Sequence, residues 1–133
     1  MAEEKIMIVE DDALIATDLR EIVSNLGYEV SGIADSFVTA RLLAPVSTIA
    51  LVDLNLKDGA TGLRVGQYLA SNFGIEVVMV TASSEAIQDD LPKVIGLISK
   101  PVHPTLIKNV LDYLRRIREG GRGVPPAGMR LFV

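Results

Sequence analysis

Residues 6–12 read Ile-Met-Ile-Val-Glu-Asp-Asp, four consecutive apolar residues followed at once by three acids. An apolar run this short, without alternation, is typical of a strand buried on both faces of a parallel sheet. Apolar residues then recur at helical spacing between Leu14 and Leu26, and Gly27 marks the end of that helix. The stretch therefore predicts a strand–helix unit with its acids at the carboxyl end of the strand.

The same alternation of strand-like and helix-like segments continues along the chain. It predicts an α/β fold, in which a parallel sheet carries helices on both faces. Ligands of such sheets bind outside the carboxyl ends of the strands, so the candidate functional residues should be found there. The further strands are expected over residues 28–34, 48–52, 77–80 and 96–99, and the further helices over residues 37–43, 63–73 and 106–117.

The segment between the fourth and fifth strands has the weakest helical pattern. Residues 83–94 contain few apolar positions, the adjacent acids Asp89 and Asp90, and Pro92, which limits a helix that begins before it. We expect a short or weak fourth helix here, and we expect residues 83–95 to be the least ordered part of the domain.

The composition is that of one globular domain. The chain has 133 residues, of which 49% are hydrophobic and 23% are charged. It has no cysteine, which excludes a disulfide framework and a thiolate metal site, and its one histidine excludes a zinc site that needs two. No apolar run approaches the roughly 20 residues of a membrane span, so a cytoplasmic location without a membrane partner is the default prediction.

Charge is distributed unevenly along the chain. The net charge is −4, which argues against direct binding of nucleic acid. Residues 115–133 nevertheless hold five arginines and one glutamate, a balance of +4 that leaves −8 for residues 1–114. The simplest interpretation is a last helix whose basic end complements its dipole, followed by a loose tail. We expect one domain over residues 1–119 and a flexible C-terminal tail over residues 120–133.

Polar residues follow four of the predicted strands, and in a parallel sheet these loops meet at one edge. Crowded carboxylates repel one another unless a cation joins them, and their hard oxygen atoms suit Mg²⁺. A carboxylate beside Mg²⁺ can attack a phosphoryl group, while a lysine and a hydroxyl stabilise the phosphoryl oxygens. The pattern therefore indicates phosphorylation of an aspartate. The residues are Glu10, Asp11, Asp53, Thr81 and Lys100, while Asp12, the last of the three acids, is expected to cap the helix that follows.

Four short motifs give the chain a resemblance to a known family. They are residues 6–12, residues 52–56 with Asp58-Gly59, residues 80–82 and residues 99–101. Over residues 5–119 the chain resembles the receiver domain of bacterial two-component response regulators, in particular a single-domain receiver of the chemotaxis type. The resemblance implies a flavodoxin-like, doubly wound, five-stranded parallel sheet with strand order 2-1-3-4-5.

The resemblance also implies a role for each residue at the strand ends. Asp53 is the phosphoacceptor, which takes a phosphoryl group from a phosphohistidine in a Mg²⁺-dependent reaction, and Thr81 and Lys100 contact that group. The implied Mg²⁺ ligands are Glu10 through a bound water, Asp11, Asp53 and the backbone carbonyl of Asn55. The resemblance further implies a cis peptide bond between Lys100 and Pro101.

The implied partners are proteins. The donor is a sensor histidine kinase or a histidine phosphotransfer protein, and a downstream protein binds the face formed by the fourth helix, the fifth strand and the last helix. The chain is then a regulatory phosphoprotein and not an enzyme, although it assists its own phosphorylation and dephosphorylation. His103 is expected to start the last helix without a chemical role.

Two features depart from the family pattern. Leu97 stands three residues before Lys100, where receivers usually carry Tyr or Phe, so the aromatic rotamer switch cannot operate in its usual form. Only 18 residues separate Thr81 from Lys100, and the missing length falls on the fourth helix.

Three other functions compete with aspartate phosphorylation. A flavodoxin-like electron carrier is disfavoured because the acids after the first strand would repel its phosphate. An aspartyl phosphatase is disfavoured because Asn55 stands where a second acid is needed. The alternative left open is a receiver fold that binds partners without being phosphorylated.

Overall fold

Strands and helices alternate along the chain in the computed structural model, which describes residues 4–56 and 61–132. The strands within these ranges are β1 (Lys5–Val9), β2 (Glu29–Ala34), β3 (Ile49–Asp53), β4 (Glu76–Thr81), β5 (Gly96–Ser99) and β6 (Met129–Leu131). The α-helices are α1 (Ala13–Asn25), α2 (Phe37–Leu43), α3 (Gly62–Phe73) and α4 (Pro104–Arg118). Each of these helices is too short or too polar to span a lipid bilayer.

The six strands form one sheet in the order β2-β1-β3-β4-β5-β6. The first five are parallel, which confirms the doubly wound α/β fold and the order 2-1-3-4-5. Val9 pairs with Val52 and Asp53 pairs with Val80, so β1, β3 and β4 end at the same level. The carboxyl ends of these strands therefore lie side by side at one edge of the sheet.

Both faces of the sheet are buried, as the continuous apolar strands predict. Successive residues of β1 point to opposite faces, so Met7 and Val9 join one core cluster while Ile6 and Ile8 join the other. Leu69 of α3 packs in the first cluster, and α1 and α4 pack in the second. This double layer holds the strand ends in fixed positions.

The sixth strand corrects the prediction of a flexible tail. Met129–Leu131 pairs antiparallel with β5, and the amide of Phe132 donates to the carbonyl oxygen of Ile95 over 2.8 Å. Met129 and Phe132 are both buried, one in each core cluster. The apolar residues near the C-terminus therefore pack on the domain, and the prediction is wrong for these residues because they add a strand to its sheet.

The fourth helix is reduced further than the sequence indicated. Residues 83–95 contain one turn of 3-10 helix, Ser84–Ala86, and the rest of this stretch has no helix. Pro92 cannot donate a backbone hydrogen bond, and Lys93 adopts a positive φ of 70°. The chain thus passes from β4 to β5 by an irregular connection.

Gly62, the first residue of α3, touches the backbone of the strand that carries Asp53. A Cβ atom at this position would lie 1.9 Å from the carbonyl oxygen of Asp53 and 2.7 Å from that of Leu54. We expect Gly62→Ala to lower the free energy of unfolding by about 1–3 kcal/mol, because neither backbone oxygen can move aside cheaply. Urea denaturation checks this, with the exposed Ser71→Ala in the same helix as a control that should change little. Equal stability of Gly62→Ala and wild type would contradict the close approach.

Candidate functional site

Three carboxylates meet at the carboxyl edge of the sheet. Glu10 and Asp11 follow β1, and Asp53 ends β3, so the pairing of these two neighbouring strands brings the acids together. One carboxylate oxygen from each lies within 4.8 Å of the others. Glu10 and Asp53 are buried and Asp11 is half-buried. Such a set of hard oxygen atoms around a partly open position fits a small divalent cation such as Mg²⁺.

Asp12, the third acid after β1, has a different task. Its Oδ1 accepts hydrogen bonds from the backbone amides of Leu14 at 3.0 Å and Ile15 at 3.2 Å. It is the N-cap of α1, as its position before a helical pattern predicts. The structure therefore separates Asp12 from the carboxylate cluster, although the three acids are adjacent in sequence.

Lys100, just after β5, supplies the cation that faces the acids. Its Nζ donates to Glu10 Oε1 over 2.9 Å and to Asp53 Oδ2 over 3.1 Å. Burial alone lowers the pKa of the Lys100 ammonium, but the hydrogen bonds to Glu10 and Asp53 outweigh it and hold that pKa above its ordinary value. The peptide bond between Lys100 and Pro101 is cis. The ammonium thus stays charged and ties β1, β3 and β5 together.

The carboxylate of Glu10 lies in surroundings that disfavour its charged form. Burial raises its pKa, the hydrogen bond from Lys100 opposes this rise, and the neighbouring carboxylate of Asp53 adds to it. The net pKa of Glu10 is raised. A second positive charge beside Glu10 and Asp53 would therefore be stabilised by the site as it stands.

Thr81 and Asn55 flank the acids. Thr81 ends β4, is buried, and accepts a hydrogen bond at Oγ1 from the amide of Ser83 over 3.1 Å. The amide of Asn55 donates to Asp53 Oδ1 over 3.0 Å, while the residue itself is exposed. All the residues predicted for the site therefore lie at this edge, and only the Asp58-Gly59 part of the motif falls outside the described residues.

The sequence interpretation missed a hydroxyl pair next to the site. Ser99 donates to the Oγ of Ser84 over 2.5 Å, which connects the end of β5 to the 3-10 turn after β4. The position of Ser99 at a strand end, directly before Lys100, is the sequence feature that could have indicated this contact. His103, by contrast, is the exposed N-cap of α4, before Pro104 at the helix start.

An apolar groove of about 680 Å³ opens beside the carboxylate site. It runs between the first turns of α1 and the connection from β5 to α4. Leu14 of α1 lines it, with 84% of its surface exposed. Lys100, whose ammonium binds Asp53, also lines it, so a molecule in this groove would lie close to the carboxylate site.

Replacing Lys100 with methionine should destabilise the metal-free protein. Glu10 and Asp53 would lose their shared cation while remaining buried, and we expect a loss of about 2 kcal/mol because Lys100 is 20% exposed. The deficit should shrink as the pH falls from neutral through the raised pKa of Glu10, since protonation removes one of the crowded charges.

Urea denaturation without divalent cations measures this effect of Lys100→Met. Lys108→Met is the matched control, because it breaks an exposed ion pair with Asp112 and should cost less than about 1 kcal/mol. An Lys100→Met protein as stable as the control would show that the ammonium does not offset the acids.

Comparisons with known proteins agree with this geometry. Residues 6–112 match the family model of the response regulator receiver domain. The phyllosphere-induced regulator PhyR of Methylorubrum extorquens is 33% identical over 126 residues, which cover 92% of this chain and 47% of that protein. This chain spans about half the length of the curated relatives it matches.

Solved structures show the same likeness. The anti-anti-sigma factor PhyR of Bartonella quintana aligns with a TM-score of 0.80 and 27% identity, over 90% of this chain and 50% of that one. The receiver domain of Erythrobacter litoralis PhyR aligns over 96% of this chain and 98% of its own length, with a TM-score of 0.74 and 22% identity, which shows the shared fold. The matched pattern and the assembled strand ends lead to one conclusion: the chain belongs to the response regulator receiver domain family.

Proposed function

We propose that this chain is a phosphoacceptor switch of a two-component system, with Asp53 as the residue that is phosphorylated. The observation that carries the proposal is the placement of Asp53, whose buried carboxylate lies between two acids and the ammonium of Lys100. A purely structural ion pair needs one acid for one lysine. Three carboxylates within 4.8 Å of one another and one ammonium leave a surplus of negative charge, which a divalent cation would balance.

Each residue of the site has a distinct part in the proposed reaction. A carboxylate oxygen of Asp53 forms a bond to phosphorus while the bond from phosphorus to the donor imidazole breaks, and the electron pair leaves with the imidazole nitrogen. Lys100 pairs with the phosphoryl oxygens, and the hydroxyl of Thr81 donates to one of them.

Glu10, Asp11, Asp53 and the backbone carbonyl of Asn55 are the proposed ligands of Mg²⁺, with Glu10 acting through a water molecule. When bound, the ion supplies positive charge that offsets the negative charge on the phosphoryl oxygens. The amide of Asn55 and the ammonium of Lys100 each bind one oxygen of the Asp53 carboxylate, and these two contacts orient it for the reaction.

The apolar groove beside the site suits the proposed donor. A phosphohistidine must approach Asp53 from the open carboxyl edge, and the exposed Leu14 with the half-buried Ile15 offers an apolar contact at that entrance. We propose that the sensor kinase or phosphotransfer protein packs a helical face here. The output is proposed to be a change in protein–protein contact, as befits a relative that is an anti-anti-sigma factor.

A non-phosphorylated interaction module is the second candidate, since the same fold could bind partners through its surfaces alone. Incubation with acetyl phosphate and Mg²⁺, followed by intact-mass measurement, separates the two. The proposal predicts one added phosphoryl group with Mg²⁺ and none after chelation by EDTA. An unchanged mass with Mg²⁺ would favour the interaction module.

A further inference from the structure

The chain's own C-terminal strand occupies part of the face at which a downstream partner was expected. β6 covers the outer edge of β5, with Leu131 opposite Gly96 and Met129 opposite Ile98. A Cβ atom on Gly96 would lie 2.8 Å from the carbonyl oxygen of Arg130, so the glycine lets the two strands approach. The edge of β5 is therefore built to accept a strand.

Arg130 holds the irregular connection that replaces the fourth helix. Its guanidinium donates to the carbonyl oxygens of Ile87 and Gln88, the latter over 2.7 Å, and lies 3.6 Å from Asp90. In a helix these carbonyls would accept from later backbone amides. Here one arginine of the C-terminal strand supplies the donors, so the strand and the connection are held together.

The same connection begins at the phosphorylation site. The amide of Ser83 donates to Thr81, and the Ser84 hydroxyl accepts from Ser99. The 3-10 turn Ser84–Ala86 then leads directly into Ile87, whose carbonyl Arg130 binds. Movement of Thr81 toward a phosphoryl group on Asp53 would pull this turn and shift the carbonyls away from Arg130.

The C-terminal segment, residues 124–132, is attached in a way that permits release. Gly120, Gly121 and Gly123 connect it to α4, and glycine gains more backbone freedom on release than any other residue. An open groove of about 370 Å³ runs beside the strand and is lined by Ser84, Leu97 and Met129. A strand of only three residues at the edge of a sheet has a low free energy of local opening.

We propose that the C-terminal segment masks the edge of β5 in the resting protein, and that phosphorylation of Asp53 releases it. The partner is then an extended polypeptide segment that pairs with β5 in its place and presents a cation to the carbonyls of Ile87 and Gln88. Residues 129–132 read Met-Arg-Leu-Phe, and we expect the partner segment to combine apolar side chains with one basic side chain in the same way. This inference rests on the proposed function, because the release is driven by the phosphoryl group.

Amide hydrogen exchange on the full chain tests the release, with beryllofluoride and Mg²⁺ as the phosphoryl mimic. We expect peptides covering residues 129–132 to exchange about tenfold faster when the mimic is bound, while β1 and β3 are unchanged. The Arg130→Ala protein should show fast exchange without the mimic. The exposed Arg122→Ala, in the connection before the strand, should behave as wild type.

Reciprocity gives a second measurement on the same proteins. If the mimic favours release, then a substitution that weakens the strand must tighten the binding of the mimic. Arg130→Ala should therefore bind beryllofluoride more tightly than wild type, and Arg122→Ala should not. A synthetic peptide of residues 124–132 should bind Arg130→Ala about tenfold more tightly than it binds wild type without the mimic.

The outcomes separate the inference from the proposed function. Mimic binding at Asp53 with unchanged or slower exchange over residues 129–132 overturns the inference and leaves the proposed function intact. Failure of both acetyl phosphate and the mimic to modify the site overturns the proposed function, and the release with it. Equal peptide binding by wild type and Arg130→Ala, or dimerisation on loading in place of peptide binding, overturns the assigned partner.

Discussion

The Asp53→Asn protein should take up no phosphoryl group from acetyl phosphate. An amide is a poor nucleophile, and the change also removes one of the three charges that would hold Mg²⁺. The amide can still accept from Lys100, so the fold around the site should be retained. Intact-mass measurement after incubation with Mg²⁺ and acetyl phosphate gives the result directly.

Asp12→Asn is the matched control for that experiment. It makes the same chemical change at an acid close to the site in sequence, and asparagine caps a helix about as well as aspartate does. This variant should be phosphorylated as fully as wild type. Undiminished labelling of Asp53→Asn, or equal loss in the two variants, would contradict the assignment of the phosphoacceptor.

Asp11→Ala should weaken Mg²⁺ binding by at least about tenfold, because it removes a carboxylate from the cluster. Asp12→Ala should leave Mg²⁺ binding nearly unchanged and instead lower the free energy of unfolding by about 1 kcal/mol, through loss of the N-cap of α1. Calorimetric titration with Mg²⁺ measures the first effect and urea denaturation the second.

This pair of variants checks the register of the strand's end. The two acids are adjacent in sequence, but Asp11 belongs to the carboxylate cluster and Asp12 caps α1. Equal losses of Mg²⁺ affinity in Asp11→Ala and Asp12→Ala would mean that the division between them is wrong.

The features that the sequence predicted are those encoded by short, local patterns. The apolar run of residues 6–9 specifies a buried strand, and the acids that follow it must then lie at the carboxyl edge. The capping role of Asp12 follows from its position before a helical pattern. The parallel sheet with helices on both faces follows from the alternation of elements, whereas the strand order was implied by the resemblance to receiver domains.

The features that the sequence did not predict depend on contacts between distant residues. Arg130 binds carbonyls that lie 42 and 43 residues earlier in the chain, and backbone carbonyls leave no sequence pattern. Residues 129–132 are too few to show a clear strand period, and the glycines and prolines before them indicate a loose tail. These residues form a strand because they pair with the outer edge of β5.

Reduction of the phosphorylated protein with borohydride identifies the phosphorylated residue chemically. This reagent converts an aspartyl phosphate to homoserine, so tandem mass spectrometry locates the modified residue. If Asp53 is the phosphoacceptor, we expect homoserine at position 53 alone, in an amount that depends on Mg²⁺ during phosphorylation. Homoserine at Asp11 or at another acid, or none at all in a sample that has gained a phosphoryl group, would contradict this assignment.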